Sequence, residues 1–327
     1  MKSQTPFIPC DEWDLTIPNL PPRSHLYSLQ PIGLGTPYTE SLSSYLQRLA
    51  QHHHLRPWQL YTHELLPLLE NEEYLLSIDT NKTAIRQTFL SVKTTPSNLS
   101  VVNGIKSMTR VIVESIEQLT RRDDLRCLTL VSWFNILRSY YCPLKQFCAW
   151  CPHCYQVWQE QEEVIYLPLL WLFNEVEFCP IHHIGLESFC PYCRQRMLNF
   201  CQPGYCSHCL QWLGRKHPPL NLADYFPSPE KLNIYQQKLF CLQDLIQITP
   251  FLSQPPRMKD VCVYLHEYCS HLDEQELKVF DNSFWLRLEL IRDPQKCTNF
   301  YSSGTCLDFF YDLFRYLHIS PRQLFCN

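Results

Sequence analysis

The sequence predicts a mainly α-helical protein with small metal-binding modules set into its middle. Three observations carry that fold class. Apolar residues recur at the helical period near both ends, the C-terminal third shows few strand-like alternations, and four Cys-x2-Cys or Cys-x2-His pairs fall between residues 151 and 209. The 327 residues are 45% hydrophobic and 18% charged, enough apolar material for one or two cores. The balance of 18 Cys against 7 Gly asks for a specific cause.

Taken in order, Pro21-Pro22-Arg23 and the stretch Pro31 to Pro37 read as extended or turning chain, since Pro and Gly there block regular helix. Leu42, Tyr45, Leu46 and Leu49 then form one apolar stripe. Leu55 and Arg56 break that helix. Pro57 is placed to open a second, Trp58 to Leu69, so the pair has the skeleton of a helix-turn-helix unit. Further helices are expected around Lys82 to Val92 and Arg110 to Leu119.

From Pro218 onward the pattern is helical at Lys231 to Ile248, Val261 to Tyr268 and Glu274 to Ile291. Near the end, Thr305-x-x-Asp308 resembles a capping box, Leu307, Phe310, Phe314 and Leu317 share a face, and Ser320-Pro321 reads as an N-cap followed by Pro. The two ends also repeat each other: His54-Leu-Arg-Pro-Trp-Gln-Leu-Tyr61 aligns with His318-Ile-Ser-Pro-Arg-Gln-Leu-Phe325. One joint is predicted twice, a tight turn followed by a Pro-started helix. Little chain follows the second copy to form a full recognition helix.

The middle has a different composition. Residues 151–214 hold 8 of the 18 Cys with only 2 basic and 6 acidic residues. The expected division is therefore an N-terminal helix-turn-helix-like domain (1–150), a tandem zinc-finger module (151–214) and a C-terminal helical domain (215–327). Cys151-x2-Cys154 and Cys179-x2-His182 make one set of four soft ligands; Cys190-x2-Cys193 and Cys206-x2-Cys209 make another. A two-residue gap lets both side chains of a knuckle face one ion, and two knuckles complete a tetrahedron suited to Zn2+. With no open position such sites are structural, so two structural zinc ions are expected. Sequential pairing is favoured over a cross-braced arrangement. The x2 spacing favours His182 over His183, while His153 and His208 are expected beside the ions rather than on them. Cys148 and Cys201 read as packing residues, and Trp158, Trp171 and Trp212 as cover for modules with little core of their own.

Other functions have thin support. A Gly-Lys-Ser/Thr phosphate loop is absent, Gly33-Leu-Gly35 does not complete a dinucleotide motif, and no nucleophile has a recognisable base, so no enzyme is expected. Met1 to Asp14 carries Asp11, Glu12 and Asp14 and no apolar run, which predicts no signal peptide. Val164 to Phe173 is about half the roughly 20 residues of a membrane helix and contains Pro168. A cytoplasmic protein without a membrane partner is the expectation.

Arg23 to Tyr45, with Pro31-Ile-Gly-Leu-Gly-Thr-Pro37 inside it and Arg48-Leu-Ala50 after it, resembles the N-terminal signature of the TniQ family, of which TnsD proteins are longer relatives. Cys151-Pro-His-Cys154, Cys179-Pro-Ile-His182 and Pro203 to Gly214 resemble its zinc region, so the likeness covers roughly residues 20 to 215. The resemblance implies a non-catalytic target selector of bacterial transposons, linking a target-recognition complex, here an RNA-guided Cascade or other CRISPR effector with its guide RNA, to the AAA+ regulator TnsC. The alternative it implies is a TnsD-like protein that reads a DNA attachment site directly.

Charge weighs between the two. Formal net charge is -4, and seven thiolates with two Zn2+ would add about -3 more, whereas a direct site reader needs a basic face for phosphates. Target DNA is thus expected to be reached mostly through partners. Arg121, Arg122, Arg194, Arg196, Arg215 and Lys216 are the candidate phosphate contacts; Arg23, Tyr27 and Glu40 are the candidate partner contacts, although fixing the arm onto the first helix pair suits them equally. A homodimer stays open.

Overall fold

The computed structural model describes residues 23–70, 99–137, 143–197, 202–216, 222–257, 260–261, 310–314 and 319–326, with single positions between. The chain is mainly helical, as expected. Helix α1 runs Leu42–His52, α2 Pro57–Leu60, a π-helical turn Tyr61–Leu65, and α3 Leu66–Glu70. Then come α4 (Leu99–Asn103), α5 (Ser107–Thr120), α6 (Phe134–Leu137), α7 (Pro152–Glu160), α8 (Leu222–Tyr225), α9 (Pro229–Ile248) and α10 (Pro321–Phe325). Extended pairings among the described residues are isolated bridges, so there is no sheet. The expected helices at Lys82 to Val92 and Glu274 to Ile291, the Thr305/Asp308 box, Cys201 and half of Val261 to Tyr268 lie outside the described residues.

Proline sets where helices begin. Helices α2, α7, α9 and α10 each start with Pro at their first position, behind Arg56, Cys151, Ser228 and Ser320. The missing N–H of proline costs nothing there because that group has no intrahelical partner. The predicted second helix thus starts one residue earlier and passes through the π-turn before continuing.

The repeated joint is real in geometry. In the first copy the Arg56 amide donates to the Gln59 side chain at 2.9 Å; in the second the Ser320 amide donates to Gln323 at 2.7 Å. The shared Gln is therefore the cap that closes each turn. Leu60 and Tyr61 are buried in the first copy, and Leu324 and Phe325 pack partly buried in the second, with Phe325 edge-on to Trp133.

Two apolar cores result among the described residues. One gathers α1, α2, α4 and α5 around Leu42, Tyr45, Leu49, Val111 and Ile116. The larger one joins Trp133, Trp150, Trp171 and the cysteines of the middle segment to Leu242 and Leu245 of α9 and to Phe310 and Phe314. Trp133 donates its indole N–H to Thr249 Oγ1 at the end of α9, 2.9 Å.

A strap joins the cores. The Ser41 amide, at the N-cap of α1, donates to Leu167 O, the Leu169 amide to Thr39 O, and the Leu167 amide to Ser44 Oγ. Glu40 lies in the middle of this strap and is fully buried. Its carboxylate accepts from Arg48 Nε (2.8 Å) and Nη2 (2.7 Å), from Ser44 Oγ (2.9 Å) and from the Ile32 amide (3.3 Å). Glu40 therefore does not form part of a partner surface: a carboxylate without water is tolerated only when paired and hydrogen-bonded, and here it fixes the arm onto α1. Arg23 and Tyr27 do remain exposed, Tyr27 stacking on His53 with ring centroids 4.3 Å apart.

Candidate metal centres

The eight Cys and His residues singled out by spacing converge into two groups of four, and the pairing is sequential. In the first, His182 Nδ1 lies 3.6, 3.2 and 3.7 Å from the sulfurs of Cys151, Cys154 and Cys179, and Cys154 Sγ lies 3.6 Å from Cys179 Sγ. In the second, Cys190 is 3.6 Å from Cys209 and Cys193 is 3.6 Å from Cys206. Within each group all donor atoms lie within 4.8 Å of one another. A tetrahedral ion with Zn–S and Zn–N bonds of ordinary length requires S–S separations of about 3.8 Å and S–N separations of about 3.6 Å. The donors are placed and chemically suited to hold such an ion.

Three of the four pairs fold identically. The amide of the first ligand donates to the carbonyl five residues on, Cys179 to Ile184 (2.8 Å), Cys190 to Gln195 (2.9 Å) and Cys206 to Gln211 (2.9 Å). The amide four residues on donates back to the first ligand's carbonyl, from His183 (2.8 Å), Arg194 (3.0 Å) and Leu210 (3.0 Å). Single bridges Phe178–Gly185, Phe189–Arg196 and Tyr205–Trp212 close each knuckle. This register puts the residue after the second ligand in the left-handed region, with φ of 53° at His183, 60° at Arg194 and 60° at Leu210. His183 is thus a turn residue, and the ligand nitrogen belongs to His182.

The fourth pair uses a different device. Cys151 is the N-cap of α7, and its sulfur accepts the Cys154 amide at 3.3 Å. Hydrogen bonding to Cys151 and Cys179, with burial, holds the Cys154 thiol far above its ordinary range. Hydrogen bonds from Cys151 and Cys154 draw Cys179 down to about 2. A divalent ion held by these donors would favour their thiolate forms. His153 stacks on His182, centroids 4.2 Å apart and planes 11° apart, and His208 Nε2 hydrogen-bonds to the Arg196 carbonyl.

Trp212 locks the two centres together, a role its spacing did not reveal. Its indole N–H donates to Gln156 of α7 (3.1 Å), and its ring lies against two glycines. A Cβ on Gly204 would stand 2.4 Å from the ring and one on Gly214 2.6 Å; Gly204 also has φ of 87°. The amide of Arg215 then returns to Pro152 O (2.9 Å).

The candidate phosphate contacts divide. Arg122 pairs with Asp124 through both Nε (2.8 Å) and Nη2 (2.5 Å), Arg215 with Glu187, and Lys216 with Glu160 (3.0 Å). Those three are engaged within the protein. Arg121, Arg194 and Arg196 are exposed and meet no carboxylate among the described residues. Among the described residues no helix is long and apolar enough to cross a membrane.

No curated protein matches the chain. Residues 31–186 match the family model TniQ, a span that holds the buried Glu40–Arg48 arm, the strap and the whole first metal centre. That match makes the segment 31–186, just under half of the chain, similar to the TniQ family.

Proposed function

We propose that the protein is a non-catalytic adaptor of transposon target selection that links an RNA-guided Cascade complex to the AAA+ regulator TnsC, with each Cys/His group holding one structural Zn2+. The TniQ match across the arm and the first metal centre carries this reading. Closed four-ligand geometry supports a scaffolding rather than a hydrolytic role for the ions, since no donor position is left for water. Internal pairing of Arg122, Arg215 and Lys216 supports an adaptor over a direct site reader, because phosphate affinity depends on cations free to displace counterions.

The reading is tested by co-expression with a TnsC-type AAA+ protein and a Cascade complex. The expected result is copurification with both and negligible specific DNA binding by the chain alone. A tight footprint of the isolated chain on one DNA sequence would overturn it in favour of direct, TnsD-like recognition.

A further inference from the structure

A cleft of about 590 Å³ opens beside the knuckles, lined by the segment from Lys145 to Ala149, the two ends of the knuckle at residues 178–185, Arg196 at the end of the next, and Tyr225 of α8. Its floor is apolar, with Val176, Phe178 and Leu186, and Phe147 stands at one wall. Lys145 is present but spent. Its ammonium donates to the carbonyls of Trp171 (2.9 Å), Phe173 (2.5 Å) and Val176 (2.7 Å), one for each of its N–H groups.

Arg196 is different. Its guanidinium carbon lies 4.6 Å from the Phe147 ring centroid and 4.8 Å from that of Phe189, so two aromatic faces hold the planar group in place. It is exposed at the cleft and makes no side-chain hydrogen bond or ion pair among the described residues. A guanidinium fixed in orientation with its N–H fork open is pre-organised for a bidentate oxyanion.

The surroundings choose which oxyanion. Glu177 also lines the cleft, so Lys145, Arg196 and Glu177 leave a single net positive charge. The central segment around it carries 2 basic and 6 acidic residues, a field that repels a chain of phosphates. One carboxylate beside an apolar group matches both the charge and the floor. We propose that this cleft docks a segment of a partner protein carrying an Asp or Glu next to a large apolar residue, the carboxylate meeting Arg196 and the apolar side chain seating on Phe178 and Leu186. The cleft would supply a docking point for the adaptor, but its existence does not depend on which complex the adaptor serves.

The test is selection of a random-sequence peptide library on the full, zinc-loaded chain. Enrichment of acidic residues beside large apolar ones is expected. A selected peptide should bind at least about tenfold more weakly to Arg196→Ala, less weakly to Arg196→Lys, and unchanged to Arg194→Ala. Zinc content by elemental analysis reports whether each variant folds; if Arg196→Ala does not, replacing the peptide's Glu by Gln gives the same tenfold readout on the unaltered protein. Selection without acidic residues, or binding indifferent to both changes, overturns the proposal. So does a fluorescent thymidine oligonucleotide whose binding vanishes in Arg196→Lys, which would assign the cleft to nucleic acid. These measurements use the protein alone, so their failure leaves the copurification test standing, and the reverse.

Discussion

The two metal centres differ in what they hold. In the first, Cys151, Cys154 and Cys179 belong to the larger core, and 24 residues of chain run between the two ligand pairs. In the second, Cys190 and Cys206 also belong to that core but Cys193 and Cys209 are half-exposed, and 12 residues separate the pairs. The first joins a helix N-terminus to a knuckle through the middle of the protein; the second joins two like knuckles at its edge. One kind of ligand set therefore serves as a keystone in one place and a clip in the other.

The largest effect should come from breaking the keystone. Cys179→Ser is expected to lose about one zinc per chain and to abolish cooperative unfolding, because a structural zinc contributes roughly 10 kcal/mol or more, comparable to the whole stability of a domain. Cys190→Ser should also lose about one zinc yet keep a cooperative transition, with amide exchange rising only around residues 188–214. Elemental analysis with calorimetry and hydrogen exchange separates the outcomes. If the two variants unfold alike, the contrast between the centres is wrong.

A smaller effect sharpens the link between them. Gly204→Ala drives a methyl into Trp212 and should cost about 1–3 kcal/mol by overpacking, with both zinc ions retained; it is read from thermal unfolding and metal content. The smallest effect tests the knuckle itself. Leu210 is largely exposed and has φ of 60°, so Leu210→Gly should leave metal content unchanged and raise stability by up to about 1 kcal/mol, measured in denaturant. A loss on that substitution would mean the leucine is needed for contacts rather than merely tolerated.

The regular parts of this fold were legible because their causes are local. Helix α9 begins at Pro229, two residues before its expected start, and ends where expected at Ile248; α5 covers Ser107–Thr120 around the expected Arg110 to Leu119. Ligand spacing similarly located both metal groups, since two intervening residues fix a knuckle within one turn. Glu40 was misplaced for the opposite reason. Its burial depends on Leu167 and Leu169 docking from more than 120 positions away, and no nearby residue announces that strap. The preference for His182 over His183 rested on spacing alone; the reason is backbone register, with three non-glycine residues in left-handed conformation at equivalent positions. Trp212 read as a lid, and Gly204 and Gly214 on either side of it were the signal that it is clasped.

The strap has a mechanical consequence. Its hydrogen bonds cross at the very residue that caps α1, so a pull on the N-terminal helices is borne in shear by backbone groups instead of by a slack tether. The helix pair and the Cys/His-clustered middle then behave as one stiff lever, and surfaces carried on its two arms keep a constant offset. A molecule that must register one site against another can use that offset as a ruler, whatever sits at either end.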